Sequence, residues 1–197
     1  MIDAKLTTGY ESSSRFREVF SRIIDTKLGS IIAIADDKGL YLLAFVDQRG
    51  VERQVEFLKK KLKATIIPGE TPIIKSIQAE IADYFDGKHF VFNTPIHLIG
   101  SPFQISVWEA LRKIPTGETR SYLQIAKSLN KPTAFRAVAQ ANGANRLAII
   151  VPCHRVINTN GALGGYAGGI TKKQWLLTHE KKRHGNNHSF TKQAKSG

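Results

Sequence analysis

Between residues 101 and 143, the sequence sets out a series of short helices with clear ends. Ser101 is followed three residues later by Gln104, and Ser121 is followed at the same spacing by Gln124. This spacing is the capping-box pattern, in which two side chains satisfy free backbone groups at a helix N-terminus. A Pro-Thr-Gly sequence breaks the first helix and an Asn-Lys-Pro sequence breaks the second. This part of the chain is therefore predicted to be helical, with tight turns between its helices.

The last two of these helices are a helix-turn-helix candidate. Thr133 follows the Asn-Lys-Pro break and is expected to cap a further helix that runs to about Ala141. Two short helices joined by a tight turn are typical of proteins that place the second helix in a DNA groove. Ordinary helical hairpins share this pattern, so the spacing alone leaves both interpretations open.

The composition of that further helix bears on how it would contact DNA. It includes Ala134, Arg136, Ala137 and Gln140, so it offers mostly methyl groups and one long cation. A helix that reads base edges in the major groove normally presents several long polar side chains. Small side chains allow close approach to a groove, and a lone arginine could enter a base stack. The composition favours sequence-independent binding; in the alternative interpretation, the alanines only pack against the preceding helix.

The first half of the chain has the pattern of a small α/β unit. Residues 29–47 predict two strands around a turn at Asp37-Lys38-Gly39. Residues 51–62 place their apolar side chains on one helical face. A second helix is predicted to begin after Thr71, which precedes a proline, and to end near Gly87. The fold class is therefore expected to be α/β.

Net charge divides the chain into two unequal halves. Residues 1–100 carry 14 lysines and arginines against 13 acidic residues, a net charge of +1. Since the whole chain has 29 basic and 16 acidic residues, residues 101–197 carry 15 basic and 3 acidic residues, a net charge of +12. Such asymmetry indicates that the second half binds a polyanion. A solvated basic face with a basic tail is the alternative interpretation.

The composition also excludes several classes of protein. No apolar run approaches the roughly 20 residues that a membrane span needs. The N-terminus lacks the apolar segment of a secretory signal. The one cysteine cannot form an intrachain disulfide or a multi-cysteine zinc site. The expectation is a soluble intracellular protein without a metal site.

That one cysteine is Cys153, at the end of an apolar run that predicts a buried strand from Leu147 to Pro152. A free cysteine is most often an inert buried residue. Here, however, His154 and Arg155 follow directly, and a base or a positive charge beside a thiol lowers its pKa. A loop with five glycines in nine residues comes next, and a predicted helix then brings in Glu180. A Cys-His-Glu relay is therefore a candidate.

Three stretches carry a resemblance to a known family: SPFQISVWEALRKIPTGETRSYLQIA, RAVAQANGANRLAIIVPCHRVI, and GALGGYAGG followed by KQWLLTHE. They resemble the O6-alkylguanine-DNA alkyltransferase family, and most closely the C-terminal domain of bacterial Ada. The resemblance implies a small ribonuclease-H-like α/β domain at 1–98. It also implies a mostly helical DNA-binding alkyltransferase domain at 99–182, with a helix-turn-helix and the active-site cysteine. Residues 183–197 would form a basic flexible tail.

The resemblance further implies an activity in DNA repair. An alkyl group, typically methyl, would pass from O6-alkylguanine, and also from O4-alkylthymine, to Cys153 in one irreversible turnover. The damaged nucleotide would be flipped out of the duplex, and no cofactor would be required. The partner would be double-stranded DNA, contacted in the minor groove with little sequence preference. The protein would act as a monomer in the cytoplasm, or in the nucleus of a eukaryote.

The family's residue roles fall on matching positions of this chain. His154, through a water molecule, and Glu180 would keep Cys153 as a thiolate. Tyr122 would help to flip the nucleotide and would donate a proton to the departing guanine. Arg136 would fill the space that the flipped nucleotide leaves in the stack. The DNA-binding set would be Tyr122, Ala134, Arg136, Ala137 and Gln140.

Further residues of the resemblance surround the base. Asn145 would hold the turn before the cysteine, and Tyr166 would lie in a loop that covers the flipped base. Ala167 replaces a serine of some relatives, and Gly168 would leave room in that loop for alkyl groups larger than methyl. Arg155 joins this substrate-binding or structural set.

Three alternatives remain at the level of sequence. A catalytically silent lesion sensor of this family would lack the acceptor cysteine, which is present here. A helix-turn-helix transcription regulator would show a marked operator preference. A cysteine hydrolase would turn over through a labile acyl intermediate. With a single cysteine, neither a zinc site nor the adaptive-response regulatory role of Ada is expected.

Overall fold

The computed structural model describes residues 17–190, with side chains described as far as Lys182. The basic tail expected at 183–197 lies outside those side chains and, from residue 191, outside the described residues. The strands are β1 (Arg17–Ile24), β2 (Ile31–Ala35), β3 (Leu40–Phe45), β4 (Ala64–Pro68), β5 (Arg120–Ser121) and β6 (Val156–Ile157). The α-helices are α1 (Val51–Leu62), α2 (Pro72–Phe85), α3 (Pro102–Arg112), α4 (Tyr122–Ser128), α5 (Phe135–Gly143) and α6 (Ile170–Phe190). None of the helices in the described range has the length and apolar character to cross a membrane.

The first half forms a four-stranded sheet in the order β3-β2-β1-β4. The β1/β2 and β2/β3 pairs are antiparallel, and β1/β4 is parallel. Turn chemistry accounts for the predicted hairpin, which is confirmed: the Asp36 carboxylate accepts hydrogen bonds from the backbone N–H groups of Lys38 and Gly39. The protein is therefore a mixed α/β fold, as expected from the sequence.

Side chains alternate between the two faces of the sheet. Leu42 and Ala44 of β3 pack in one cluster with Leu58 of α1. Leu43 and Phe45 pack on the opposite face, in a cluster shared with α2, α3 and residues around the cysteine. The first half thus provides the surface against which the second half packs.

The free edge of β3 is covered by chain from further along the sequence. The N–H of Leu43 donates to the Arg146 carbonyl at 2.8 Å, and the N–H of Ala148 donates to the Leu43 carbonyl at 2.8 Å. Covering an edge strand in this way satisfies its backbone groups. It also fixes the segment that leads to Cys153 against the sheet.

Helix ends in the second half follow the predicted caps in two cases out of three. Capping boxes are confirmed at Ser101 with Gln104 and at Ser121 with Gln124. The predicted cap at Thr133 is wrong: a 3-10 turn at Pro132–Ala134 precedes α5, which has no side-chain cap. Pro132 starts this tighter turn, so the α-helix begins only at Phe135.

The predicted strand from Leu147 to Pro152 is also wrong, because these residues form turns with one isolated bridge between Leu147 and Leu43. Only Val156–Ile157 is a strand, and Cys153 begins a 3-10 turn that ends at Arg155. Short-range backbone bonds, such as Val151 N–H to the Leu147 carbonyl, replace strand pairing, and Ile149 takes a left-handed φ of 72°. Burial by helices on the core side, rather than a sheet ladder, explains the apolar composition of this segment.

Candidate active site

Cys153 lies at the wall of a cavity of about 440 Å³. Its side chain is buried, with 6% of the residue exposed. The cavity is lined by residues from both halves of the chain, which are Gln48, Tyr122, Ala139, Gln140, Asn142, Gly143, Asn145, Ala148, Cys153, Gly165, Tyr166 and Ala167. A thiol at the wall of a largely apolar cavity with a few polar groups is the arrangement of a small-ligand site.

Asn145 holds the turn that presents this thiol. Its amide N–H₂ donates to the Val151 carbonyl at 2.9 Å and to Sγ of Cys153 at 3.1 Å. Its Oδ1 accepts from the backbone N–H of Leu147 at 2.9 Å. Asn142 adds a bond from its amide to the Cys153 carbonyl at 3.3 Å. Asn145, to which the family resemblance assigns this turn, thus forms hydrogen bonds with both the turn and the sulfur atom.

Burial raises the pKa of the Cys153 thiol above its usual value. The hydrogen bond from Asn145 and the positive charge of Lys173 act in the opposite direction but do not outweigh burial. The sulfur atom therefore keeps its proton until a base removes it, so the chemistry of the site depends on a proton acceptor nearby.

His154 and Glu180 form the core of a buried polar network beside the cysteine. Nε2 of His154 lies 2.8 Å from Oε1 of Glu180, and both side chains are fully buried. Arg155 donates from Nε to Oε2 of Glu180 at 2.8 Å and from Nη2 to Oε1 at 3.0 Å. Tyr84 donates to Oε1 at 2.9 Å. The carboxylate is thus held by three side chains from two elements, the 3-10 turn at Cys153–Arg155 and α2.

This network keeps Glu180 charged and His154 neutral. Burial alone would raise the pKa of Glu180, but hydrogen bonds and charges from His154 and Arg155 outweigh it and leave the pKa well below its usual value. Burial lowers the pKa of His154, and the nearby Glu180 opposes that effect only in part. When Nε2 donates to the carboxylate, Nδ1 is the free acceptor, and it has no hydrogen-bond partner among the described residues. The ring is thereby prepared to accept a proton.

Two tyrosines line the cavity as protonated phenols. Burial raises the pKa of Tyr122, which begins α4, and it raises the pKa of Tyr166 well above its usual value. The Tyr166 hydroxyl is buried without a partner in the described part of the chain. Both phenols can therefore donate a proton or hydrogen bond to a ligand.

Gly168 has a different position from the one expected. A Cβ at this residue would lie 2.9 Å from Cε1 of Tyr166 and 3.0 Å from Cδ2 of Phe45, and Gly168 does not line the cavity. The expected tolerance of alkyl groups larger than methyl stays a prediction. Glycine instead lets the loop pack closely against two aromatic rings, while Ala167 is the small residue that faces the cavity.

Of the residues expected to contact DNA, Tyr122 begins α4 and lines the cavity, and the others lie on or just before α5. Gln140 lines the cavity, whereas Ala134, Arg136 and Ala137 lie outside it. Arg136 is exposed and contacts the Phe135 ring at 5.5 Å, and it forms no ion pair with a described carboxylate. The opposite face of α5 is held by a 2.8 Å hydrogen bond from Trp108 to the Ala141 carbonyl. An unpaired cation therefore projects from a helix that is firmly anchored behind it.

Sequence reasoning missed Lys173, whose side chain is fully buried. Its ammonium donates to the carbonyls of Val156, at 2.6 Å, Leu163 and Gly165. Burial lowers its pKa to about 8. One signal was available: Lys173 shares a helical face with Leu176 and Glu180, which are also buried.

Tyr84 and Gln48, from the first half, were also missed, because a sequence gives no indication of contacts between distant segments.

No group of three or more potential metal ligands is found among residues 17–190. The assembled site thus combines a buried thiol, a histidine-carboxylate pair, two phenols and an adjacent exposed arginine.

Comparisons with known proteins identify relatives of this chain. Residues 102–182 match the family model described as "6-O-methylguanine DNA methyltransferase, DNA binding domain". The chain is 42% identical over 142 residues to the inducible methylated-DNA–protein-cysteine methyltransferase of Bacillus subtilis, covering 71% of this chain and 79% of that protein. It is 39% identical over 163 residues to the methylated-DNA–protein-cysteine methyltransferase of Methanosarcina mazei, covering 82% and 97%.

A solved structure is similar over the same span. The crystal structure of Mycobacterium tuberculosis OGT in complex with DNA matches with a TM-score of 0.72 and 39% identity, covering 84% of this chain and 94% of that one. The agreement extends over 97% of the Methanosarcina mazei protein and 94% of the Mycobacterium tuberculosis structure, so the chain belongs to the methylated-DNA–protein-cysteine methyltransferase family.

Proposed function

We propose that this protein repairs DNA by transferring the alkyl group of O6-alkylguanine to its own Cys153, once per molecule. The observation that carries the proposal is the buried thiol at the wall of a 440 Å³ cavity, beside a neutral histidine that is paired with a buried carboxylate. A flipped nucleobase can enter such a cavity, and flipping costs only a few kcal/mol. O4-alkylthymine, which carries its alkyl group on a similar exocyclic oxygen, is included in the proposal.

The residues around Cys153 supply the proton transfers. His154 accepts the thiol proton, directly or through water, and the Glu180 carboxylate stabilises the imidazolium that forms. The sulfur then attacks the alkyl carbon as the bond to O6 breaks, and Tyr122 donates a proton to the departing guanine. The thioether formed on Cys153 is stable in water, so the protein is consumed.

The DNA contacts extend this proposal. Helices α4 and α5 would form a helix-turn-helix that enters the minor groove with little sequence preference, and Arg136 would fill the space left by the flipped base. Residues 99–182 would carry DNA binding and alkyl transfer, and residues 1–98 would form a supporting ribonuclease-H-like domain. The protein would act as a monomer on chromosomal DNA in the cytoplasm. The contact of α5 with DNA is supported by its two faces: Val138 and Ala141 are buried, whereas Arg136 is exposed.

The test is mass spectrometry of the protein after incubation with a duplex that contains one O6-methylguanine. We expect one added methyl group on the peptide that contains Cys153, in a yield limited by the protein. Cys153→Ala should abolish transfer and keep its affinity for the duplex, and a lesion-free duplex should give no modification. Unmodified wild-type protein with a persisting lesion would contradict the proposal.

A further inference from the structure

Gln48, from the first half of the chain, lines the Cys153 cavity and has not been given a role. It follows β3, and its backbone N–H donates to the Phe45 carbonyl at 3.1 Å. Only 7% of the residue is exposed, yet its side-chain amide has no hydrogen-bond partner among residues 17–190. Its amide nitrogen and oxygen are not among the fully buried unpaired atoms, so on this cavity-lining residue they remain accessible as a donor and an acceptor for a ligand.

Backbone hydrogen bonds place Gln48 near the segment that carries Cys153. Backbone bonds attach the chain at Arg146 and Ala148 to Leu43 of β3, so the end of β3 lies alongside the segment that leads to the cysteine. Ala148 and Ala167 line the same cavity with single methyl groups. Gln48 therefore lines the same cavity as Cys153, together with two small side chains that leave space for a longer alkyl group.

The polar groups already assigned occupy other positions. Asn145 is committed to the sulfur atom and to the turn, and the Tyr122 phenol is the proposed proton donor to guanine. Gln48 provides both a donor and an acceptor that neither the turn nor the proton relay uses. A methyl group offers it nothing to bind, whereas a longer alkyl group that ends in a hydroxyl can both accept and donate.

We propose that Gln48 is a specificity-determining residue that favours alkyl groups with a polar end, such as 2-hydroxyethyl, over apolar groups of the same length. The proposal rests on the proposed function and adds a substrate preference to it. In the reaction, the sulfur of Cys153 bonds to the carbon attached to O6, and the O6–carbon bond breaks with its electron pair retained by guanine. Guanine takes up a proton and leaves neutral, and the product is S-(2-hydroxyethyl)cysteine.

The experiment measures single-turnover rates with three duplexes, which contain O6-methylguanine, O6-(2-hydroxyethyl)guanine or O6-propylguanine. Hydroxyethyl and propyl have nearly the same size and differ in one terminal group. We expect wild-type protein to prefer hydroxyethyl by about two- to tenfold, the range that a single neutral hydrogen bond provides. Gln48→Leu should remove or reverse this preference, measured as the ratio of the hydroxyethyl rate to the propyl rate for the same protein.

Two further variants make the result decisive. Gln48→Met fills the same space with a flexible apolar chain and replaces Gln48→Leu if that variant is unstable. Gln54→Leu makes the same chemical change on α1, outside the cavity, and should leave the preference intact.

Two results would overturn the proposal: equal wild-type rates for hydroxyethyl and propyl, or a Gln48→Leu variant that slows all three substrates in proportion. Failure of the wild-type protein to accept even the methyl group would instead contradict the proposed function itself.

Discussion

The hydroxyl of Tyr84 donates a 2.9 Å hydrogen bond to Oε1 of Glu180, across 96 residues of the chain. Tyr84 belongs to α2 and Glu180 to α6, so the first half of the protein helps to hold the carboxylate that orients His154. The first half thus contributes to the electrostatics of the site as well as to the packing behind it. This relationship gives the first prediction.

Tyr84→Phe should lower the free energy of unfolding by about 1.5 to 3 kcal/mol, the range for a hydrogen bond to a charged group. It should slow methyl transfer less than about tenfold, because His154 and Arg155 still hold the carboxylate. Denaturant unfolding and single-turnover kinetics measure the two effects. Tyr41→Phe is the matched control, since Tyr41 also donates to a buried carboxylate, that of Asp36, but outside the cavity. A control that slowed transfer equally would contradict a local role for Tyr84.

Glu180→Gln should remove transfer and change how stability depends on pH. The folded-state pKa of Glu180 lies below its unfolded value of about 4.3, so the unfolded chain binds more protons in that range. The stabilisation is therefore present above about pH 5 and is lost as the pH falls further. At neutral pH, the variant should be less stable by about 3 to 5 kcal/mol, because Arg155 is left buried without its charge partner.

Unfolding free energies measured from neutral pH down to about pH 3 check this sign. The difference between wild type and Glu180→Gln should shrink as the pH falls. Glu109→Gln, which removes an exposed carboxylate paired with Arg112, should show little of this behaviour. A difference that grew in acid would contradict the lowered pKa.

The sequence predicted the fold well where residues close together in the chain determine the local structure. The capping boxes at Ser101 and Ser121 depend on side chains three residues apart, and both are present. The strand expected around Cys153 is absent because apolar composition reports burial and does not distinguish a sheet from a buried turn. Contacts across the chain, such as Tyr84 with Glu180, have no local signal at all.

The candidate site was predictable in part for the same reason. Cys153, His154 and Arg155 are adjacent, and Glu180 is one of three acidic residues in the second half, so a relay could be predicted. Lys173 was missed because a lysine is normally exposed, and its burial follows from three carbonyls that only the folded loop brings together.

Lys173→Met should slow transfer and change the stability profile in alkaline solution. The pKa of Lys173 is about 8 in the folded protein against 10.5 for an exposed lysine, so the unfolded chain binds more protons between these values. The stability of the wild type should therefore rise relative to the variant as the pH increases from about 8 to about 10, by roughly 3 kcal/mol at most. Transfer should slow because the glycine-rich loop loses the ammonium that binds its carbonyls.

Lys172→Met is the matched control for this effect. It removes the adjacent lysine of α6, whose ammonium pairs with the exposed carboxylate of Asp47. Its unfolding free energy should follow that of the wild type between about pH 8 and pH 10. If both variants showed the same pH profile, burial of the Lys173 ammonium would not be the cause.

Arg136→Ala should slow transfer from a duplex much more than transfer from a free O6-alkylguanine base. Arg136 is exposed, unpaired with any described carboxylate and outside the cavity, so it has no contact with a base that is already in place. Its proposed role is to offset part of the unstacking cost, which arises only in a duplex and amounts to a few kcal/mol. Single-turnover rates with a lesion duplex and with the free base separate the two cases. The control is Arg53→Ala, which removes another exposed arginine, on α1, and should leave both rates unchanged. If Arg136→Ala instead slowed transfer equally from the duplex and from the free base, its effect would lie in the chemical step.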